Sequence, residues 1–308
     1  MSGPESPLPE GHRAGFVTLF GRSNVGKSTL LNRLVGSKVA IVTDVPQTTR
    51  RRVRGIRTYD DAQIVYMDTP GVHKPRYAMN QRMVSTAIAS LDGVDLVLLL
   101  VDAGAGLGPG DRFVMDVARE RSVPVYLIVN KVDLISREKL MALIAEVTAE
   151  RTFTEVVPVS ALSGDNVDRL ETLIRGAIPP GPRYYPTDAL TDSPEKFVLA
   201  EILREKIILN TRQELPHSTA VLIERLEERP GGVLEVDALV VVDRDGQKGI
   251  LIGKGGEALK KIGREARLEM EERLGTKVFL QTWVKVSRDW RMNERILDEL
   301  GVEGVERK

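Results

Sequence analysis

Residues 16–20 form a hydrophobic run, and Leu30, Leu31 and Leu34 recur at helical spacing; between them the chain reads Gly21-Arg22-Ser23-Asn24-Val25-Gly26-Lys27-Ser28. The octapeptide fills every fixed position of the phosphate-binding pattern GxxxxGKS. A loop of this kind joins a buried strand to a helix N-terminus, so it commits the chain to an α/β fold. Glycines at both ends let the backbone curl until successive N–H groups point at phosphate oxygens, a cradle supplied by Gly21, Ser23, Asn24, Val25, Gly26 and Thr29. Lys27 reaches the β- and γ-phosphates, and the Ser28 hydroxyl is a ligand for Mg²⁺. The positive end of the following helix adds to the same anion site. A glycine-rich turn before an ordinary helix is the plainer alternative, but strand, turn and helix come in the order the loop requires. The ligand class is a nucleoside triphosphate.

Asn130-Lys131-Val132-Asp133 selects the base. It closes a buried-strand pattern over residues 123–129, at the carboxyl end where open α/β sheets bind ligands. A carboxylate at Asp133 accepts from both the N1–H and the 2-amino group of guanine, a donor pair that adenine lacks. Asn130 can tie the base loop to the phosphate loop, while the stem of Lys131 packs along the purine. A further strand, Glu155–Val159, ends in Ser160-Ala161-Leu162, where a backbone N–H meets guanine O6.

Between these motifs, Asp68-Thr69-Pro70-Gly71 ends a strand over residues 63–67. Asp68 is placed to hold a water on Mg²⁺, and the Gly71 amide to bond the γ-phosphate. The polar stretch 43–49 supplies hydroxyls; Thr49 is the choice for the second side-chain Mg²⁺ ligand, with Thr48 the alternative. Lys27, Thr49 and Gly71 are the residues expected to act on the reacting phosphate. Val72 stands where many regulatory GTPases carry the glutamine that orients the attacking water. Backbone groups, a second cation or a partner must do that work here.

With 308 residues the chain has room for about two domains. It has no cysteine, which excludes disulfides and thiolate metal sites and fits a reducing, cytoplasmic setting. His12, His73 and His217 have no ligand spacing and read as surface or loop residues. The most apolar stretch, 96–101, is too short to span a bilayer and reads as a central parallel strand. Residues 1–14 are rich in Pro, Gly and charge and are expected to be a disordered tail. The nucleotide-binding domain is then expected over 15–181.

Formal net charge is zero, so only local charge points to a partner. Arg50, Arg51, Arg52, Arg54 and Arg57 crowd one segment, which reads equally well as a solvated face. From Lys248 to Arg288 ten basic residues stand against five glutamates. The domain carrying them, 193–308, follows a proline-rich connector over 182–192. Ser193-Pro194-Glu195 offers an N-cap, an N1 proline and an early acid for a helix with Leu199, Ile202, Leu203 and Ile207 toward a core. Strands are expected over 218–226, 233–242 and 277–286, helices over 246–252 and from Gly256, and a last helix at the C-terminus. The order is α-β-β-α-α-β. Gly253-Lys254-Gly255-Gly256, preceded by Leu251 and Ile252, forms a GxxG loop open to a sugar-phosphate backbone. Ile252, Gly253, Lys254, Gly255, Gly256, Lys260, Lys261 and Arg264 are the expected RNA-binding residues.

These motifs resemble those of the Era family, TrmE-Era-EngA-like bacterial GTPases of small-subunit ribosome assembly. GRSNVGKS at 21–28, PQTTR at 46–50, DTPG at 68–71, NKVD at 130–133, SAL at 160–162, IGKGG at 252–256 and VKVSRDWR at 284–291 carry the resemblance. It implies a Ras-like G domain with a mostly parallel sheet, followed by an α+β type II KH domain. It implies slow GTP hydrolysis to GDP, binding to the 3′ end of 16S rRNA on the 30S precursor, and Mg²⁺ as cofactor, with Asn24 helping to hold K⁺. A monomer is expected, cytoplasmic or peripheral at the inner membrane face, although the sequence offers no anchor. A single set of G motifs and the GxxG loop argue against a tRNA-modifying or tandem-G-domain GTPase. The rival from another class is an RNA-binding scaffold that binds nucleotide with little or no turnover.

Overall fold

The computed structural model describes residues 9–302 apart from positions 76, 213 and 214. The chain divides into two compact units: Met1–Ala40, Thr49–Lys74 and Val84–Asp192 make the first, and Ile41–Thr48, Pro75–Met83 and Ser193–Lys308 the second. Sequence order therefore does not separate them, since two short segments from the first half of the chain cluster with the second unit.

The elements of the first half are β1 Arg13–Gly21, α1 Lys27–Val35, β2 Val53–Thr58, β3 Ala62–Asp68, α2 Ala78–Ala89, β4 Leu96–Asp102, α3 Pro109–Arg119, β5 Val125–Asn130, α4 Arg137–Glu150, β6 Glu155–Val159 and α5 Val167–Ala177. Six strands form one sheet in the order β2-β3-β1-β4-β5-β6, parallel except where β2 runs against β3. Parallel strands with helical crossovers bury both sheet faces, hence the nearly unbroken apolar runs. β4 makes the alternation plain. Leu96, Leu98 and Leu100 join the cluster holding Leu30, Leu31 and Leu34 of α1 and Leu170 and Ile174 of α5. Val97, Leu99 and Val101 face the other way, with Val114 and Met115 of α3 and Val147 of α4. Each such side chain contributes roughly 1.5 to 3 kcal/mol on burial, so a register slip in β4 would forfeit both cores. The phosphate loop and the segments after β3, β5 and β6 all leave the carboxyl edge of the parallel strands, which brings the motifs to one rim.

In the second unit the elements are α6 Glu195–Asn210, α7 Leu215–Ser218, β7 Ala220–Arg229, β8 Val233–Val242, α8 Asp245–Ile252, α9 Glu257–Leu274, β9 Val278–Val286 and α10 Glu294–Glu299. The central β8 pairs antiparallel with β7 and parallel with β9. Leu199, Leu203 and Ile207 of α6 and Ile262, Ala266 and Met270 of α9 pack with Val236, Ala238 and Val240 of β8. A separate cluster gathers Met79, Met83, Ala220, Val241, Trp290, Leu297 and Val302. The Trp290 indole N–H donates to the Ser218 carbonyl at 2.9 Å.

Several expectations need correction. Of the expected tail, residues 1–8 lie outside the described residues, but β1 begins at Arg13 and His12 is buried, its Nδ1 2.8 Å from the Gly181 carbonyl. Strand pairing, which composition does not report, orders that end. α6 begins one residue later than expected, with Pro194 rather than Ser193 at its N-cap. Ser218 closes the short α7 instead of opening a strand. The proline-rich connector is not a bare spacer. Gln63 Oε1 accepts the Tyr184 and Tyr185 amides at 2.7 and 2.9 Å, and the Ile56 amide donates to the Leu190 carbonyl.

Candidate functional site

Gly26 takes φ +95 at the N-cap of α1 and no side chain caps that helix, so its first N–H groups are left to the loop. A Cβ at Gly26 would stand 2.2 Å from the Asn130 amide nitrogen, which makes glycine obligatory there twice over. Lys27 is buried and its ammonium donates to the Gly21 and Arg22 carbonyls at 3.2 and 2.7 Å. Burial lowers its pKa to about 8, partly offset by the charge of Asp68. An ammonium kept in place by carbonyl dipoles, in a site that would otherwise neutralise it, is poised for a polyphosphate.

The three expected metal-side residues converge. The Ser28 hydroxyl donates to Asp68 Oδ2 at 2.6 Å, Thr49 Oγ1 donates to the same oxygen at 3.1 Å, and the two hydroxyls lie 2.9 Å apart. Asp68 Oδ1 is buried with no hydrogen-bond partner, and burial raises the carboxyl pKa against the pull of Lys27. An orphaned carboxylate oxygen beside two hydroxyls fits a hard divalent cation. Thr48 faces elsewhere, its hydroxyl donating to the Val45 carbonyl at 2.6 Å. A Cβ on Gly71 would stand 2.4 Å from Ser23 Cα, so the Asp68–Gly71 turn meets the phosphate loop backbone to backbone. The Val72 amide donates to the Gly21 carbonyl at 3.1 Å, while its side chain is buried among Phe20, Met67 and Ala87.

Asn130 joins three motifs with one amide. Its Nδ2 donates to the Val25 carbonyl at 2.8 Å, and its Oδ1 accepts the Ala161 N–H at 2.9 Å. The Lys131 ammonium reaches the Asn24 carbonyl at 2.8 Å and Asp102 at 2.6 Å. Lys131 itself sits in the left-handed region, φ +65, which turns the chain so that Asp133 follows in a short 3₁₀ turn with its carboxylate exposed. Leu162 is exposed beside it, while the Ser160 hydroxyl accepts the Ser163 amide and closes its own turn. Thr29 is half-buried in the first turn of α1. The Ala161 amide, expected near the base, is thus taken by Asn130.

In the second unit the GxxG loop joins α8 to α9. Gly253, Gly255 and Gly256 take φ +73, +62 and +83. A Cβ at Gly253 would meet that of Ala258 at 2.7 Å, whereas Gly255 and Gly256 face open space, so their backbone is approachable. Beside them runs a groove of about 500 Å³ lined by Gly256, Leu259, Lys260, Arg264, Leu280 and Thr282, with Gly263 and Arg267 completing it. Lys254, two residues before Gly256, is exposed. Lys261 does not line the groove; it is exposed and paired with Glu265 at 3.8 Å. Of the apolar pair that precedes the loop, Leu251 is wholly buried in the core and Ile252 is half-buried.

The family profile of 50S ribosome-binding GTPases matches residues 16–131, and that of the KH domain matches residues 214–291. GTPase Era of Lacticaseibacillus paracasei is 48% identical over 290 residues, covering 94% of this chain and 97% of that protein. The GTPase Era of Geotalea uraniireducens is also 48% identical, over 291 residues, covering 94% and 98%. The chain belongs to the Era family of GTPases. A crystal structure of Era in complex with MgGDPNP and nucleotides 1506–1542 of 16S ribosomal RNA matches with a TM-score of 0.92 at 38% identity, covering 94% of this chain and 99% of that one. An Aquifex aeolicus Era variant bound to GDP.AlF4- matches at 0.91, also with 38% identity and 94% and 99% coverage. The architecture of this Era family member is a Ras-like G domain followed by a KH domain, and it is a GTPase.

Sequence reasoning missed the β9 wall of the Era groove, Leu280 and Thr282, and with it Leu259, Gly263 and Arg267 of α9. The i, i+3, i+4 spacing of 256, 259, 260, 263, 264 and 267 was the signal available: one stripe of α9 is small or basic where its neighbour is apolar core. Two arginines of the cluster have structural partners. Arg54 pairs with Asp192, and Arg57 donates to the Val35 carbonyl at 3.1 Å and lies 5.4 Å from the Tyr59 ring centre. Among the described residues no helix is long and apolar enough to cross a membrane.

Proposed function

We propose that this Era family member binds GTP, hydrolyses it slowly to GDP, and binds the 3′ end of 16S rRNA through its KH groove during 30S subunit assembly. One observation carries the reading: a complete set of ammonium, hydroxyl and carboxylate groups at one sheet rim, in a chain that also folds a basic GxxG groove. Lys27 neutralises the β- and γ-phosphates and the Gly71 amide bonds the γ-phosphate. Gly21, Ser23, Asn24, Val25, Gly26 and Thr29 cradle the chain of phosphates. Asn130 fixes the base loop against that cradle, Asp133 reads guanine, Lys131 covers it, and Ser160, Ala161 and Leu162 close the pocket. Ser28, Thr49 and Asp68, the last through water, would hold Mg²⁺, which supplies charge neutralisation at the phosphates when bound. Asn24, exposed at φ +65, would help hold K⁺. On the RNA side Lys254, Lys260 and Arg264 face the phosphate backbone, Gly253, Gly255 and Gly256 let it approach, and Ile252 meets an unstacked base; Lys261 contributes charge only at a distance. The domain limits of 15–181 and 193–308 belong to the same reading. A monomer, in the cytoplasm or peripheral at the inner membrane face, rests on the family resemblance alone.

Single-turnover GTP hydrolysis with and without 30S particles tests it. Turnover that the particles accelerate is expected; binding with no turnover in either condition would favour the nucleotide-gated scaffold. Ser28→Ala is expected to raise the Mg²⁺ needed for half-maximal hydrolysis by about tenfold, because one charge-assisted ligand is lost. A Mg²⁺ titration identical to wild type would remove Ser28 from the metal site. Hydrolysis is also expected to run several-fold faster in KCl than in matched NaCl, since a fixed cation near the β–γ bridge does the work of an arginine finger. Equal rates in the two salts would count against Asn24 as a cation ligand.

A further inference from the structure

Arg33 stands in the last turn of α1, where a basic side chain ordinarily does no more than complement the carbonyl end of the helix. Its guanidinium reaches instead to the Ser160-Ala161-Leu162 turn after β6, and both lie in the first unit. Nε donates to the Ala161 carbonyl at 3.3 Å and Nη2 to the Leu162 carbonyl at 2.5 Å. Gly164, at φ +92, closes the turn by donating to the Ser160 carbonyl at 2.8 Å. A Cβ on Gly164 would stand 3.4 Å from the guanidinium carbon, so the arginine lies close against the turn.

Every amide of the turn but one is taken. The Ser160 amide donates to the Asp165 carbonyl at 3.1 Å, the Ala161 amide to Asn130 Oδ1 at 2.9 Å, and the Ser163 amide to the Ser160 hydroxyl at 3.1 Å. The Leu162 amide has no acceptor among the described residues. It shares one trans peptide plane with the Ala161 carbonyl, so the two groups point in opposite directions. Holding that carbonyl turns the Leu162 N–H away from Arg33, and drawing electron density from the carbonyl makes the N–H a stronger donor. The bond from the Ala161 amide to Asn130 sets the turn beside the segment that carries Asp133.

We propose that Arg33 is a specificity-determining positioning residue: by gripping two successive carbonyls of the 160–163 turn it aims the Leu162 amide at the 6-oxo group of the guanine base. The inference rests on the reading of Asn130 to Asp133 as the base-selecting motif. Asp133 then reads the N1–H and 2-amino edge, and the Leu162 amide reads the 6-oxo edge, as two contacts that can be removed separately. A planar guanidinium holds both carbonyls at once, which a lysine ammonium does less well. The helix behind the phosphate loop thereby takes part in choosing the base, through a residue outside every nucleotide motif.

The test measures the affinity of the full-length protein for three diphosphates. GDP offers both edges; 6-thio-GDP keeps the N1–H and 2-amino group but has a sulfur that accepts hydrogen bonds poorly; inosine diphosphate keeps the 6-oxo group and lacks the 2-amino group. Arg33→Met keeps the stem and removes the donors, and because Arg33 is exposed the variant is expected to fold, as a melting curve checks. GDP and inosine diphosphate are expected to bind about fivefold more weakly to it, the modest effect of an exposed charged group acting through a neutral amide, while 6-thio-GDP stays within about twofold. Preference for GDP over 6-thio-GDP therefore falls, and preference for GDP over inosine diphosphate does not change. Arg33→Lys should recover part of the lost preference. An equal loss for all three nucleotides would mean that Arg33 only braces the turn, and overturns the proposal; so do unchanged affinities, and so does a wild-type protein that binds GDP and 6-thio-GDP equally. Asp133→Asn separates this inference from the reading beneath it. If that variant keeps the wild-type preference for GDP over inosine diphosphate, the base-selecting motif is wrong and the inference falls with it, whereas a lost preference there beside an unmoved 6-thio-GDP ratio in Arg33→Met overturns the inference alone.

Discussion

Replacing Lys254 with Glu and Gly255 with Asp together is expected to weaken binding to single-stranded 16S rRNA 3′-end RNA by about a hundredfold or more. One contact changes sign and one position gains a negative charge. Lys254 is exposed, and on the proposed reading its loss removes a charge-assisted phosphate contact that contributes roughly 1.5 to 3 kcal/mol. Gly255 lies at φ +62 with open space around it, so an aspartate there disturbs no neighbour but sets a side chain and a negative charge where the sugar-phosphate backbone approaches. Aspartate tolerates the left-handed region better than most residues, which makes a folded double variant a fair expectation. GTP affinity should stay within about twofold, because the nucleotide motifs and this loop fall in different compact units. Wild-type RNA binding should also weaken steeply with added salt, as lysine and arginine displace counterions. Filter binding and nucleotide titration on the same preparation, with a melting curve, are the measurements. A folded double variant with wild-type RNA affinity would reduce the GxxG segment to a helix-joining turn.

Asp133→Asn is expected to invert base preference, lowering GTP affinity by about a hundredfold while xanthosine triphosphate gains. On the proposed reading the carboxylate accepts two donors of guanine, and each such bond to a charged group contributes roughly 1.5 to 3 kcal/mol. An amide in its place can donate to the 2-oxo group of xanthine, a group that repels the wild-type carboxylate. Asp133 is exposed in its 3₁₀ turn, so the exchange carries little cost to folding. Competition between the two triphosphates decides it; an unchanged order of preference would assign base reading to another residue.

What could be read from the chain beforehand followed the range of the interactions. β6 and β8 were legible to the residue because each is a valine-rich run bounded by polar or turn residues, a signal that lies within the segment itself. The phosphate loop was legible because its backbone conformation demands glycine at Gly26. The β9 side of the RNA groove was hidden, since Leu280 and Thr282 read as ordinary alternating strand residues until α9 lies opposite them. Membership of 41–48 and 75–83 in the second unit was equally hidden. Arg204 and Glu205 sit on a helix whose neighbours are apolar, and nothing local distinguishes a buried pair bonded to distant backbone from a solvated one. His12 shows the converse error: a polar, proline-rich stretch was read as a tail through residue 14, past Arg13, at which strand pairing takes over.

Val72 points into the core with Phe20 and Met67 while its amide holds the Gly21 carbonyl. Its side-chain direction is therefore fixed by the same backbone that forms the phosphate loop. A glutamine introduced there would have to bury an amide among hydrocarbon or swing out and leave a void, either at a cost of about 1 to 3 kcal/mol. Orientation of the attacking water by a side chain is thus closed at this position by packing rather than by chemistry. A lineage built on this core has to set the lifetime of its GTP-bound state from outside the residue itself.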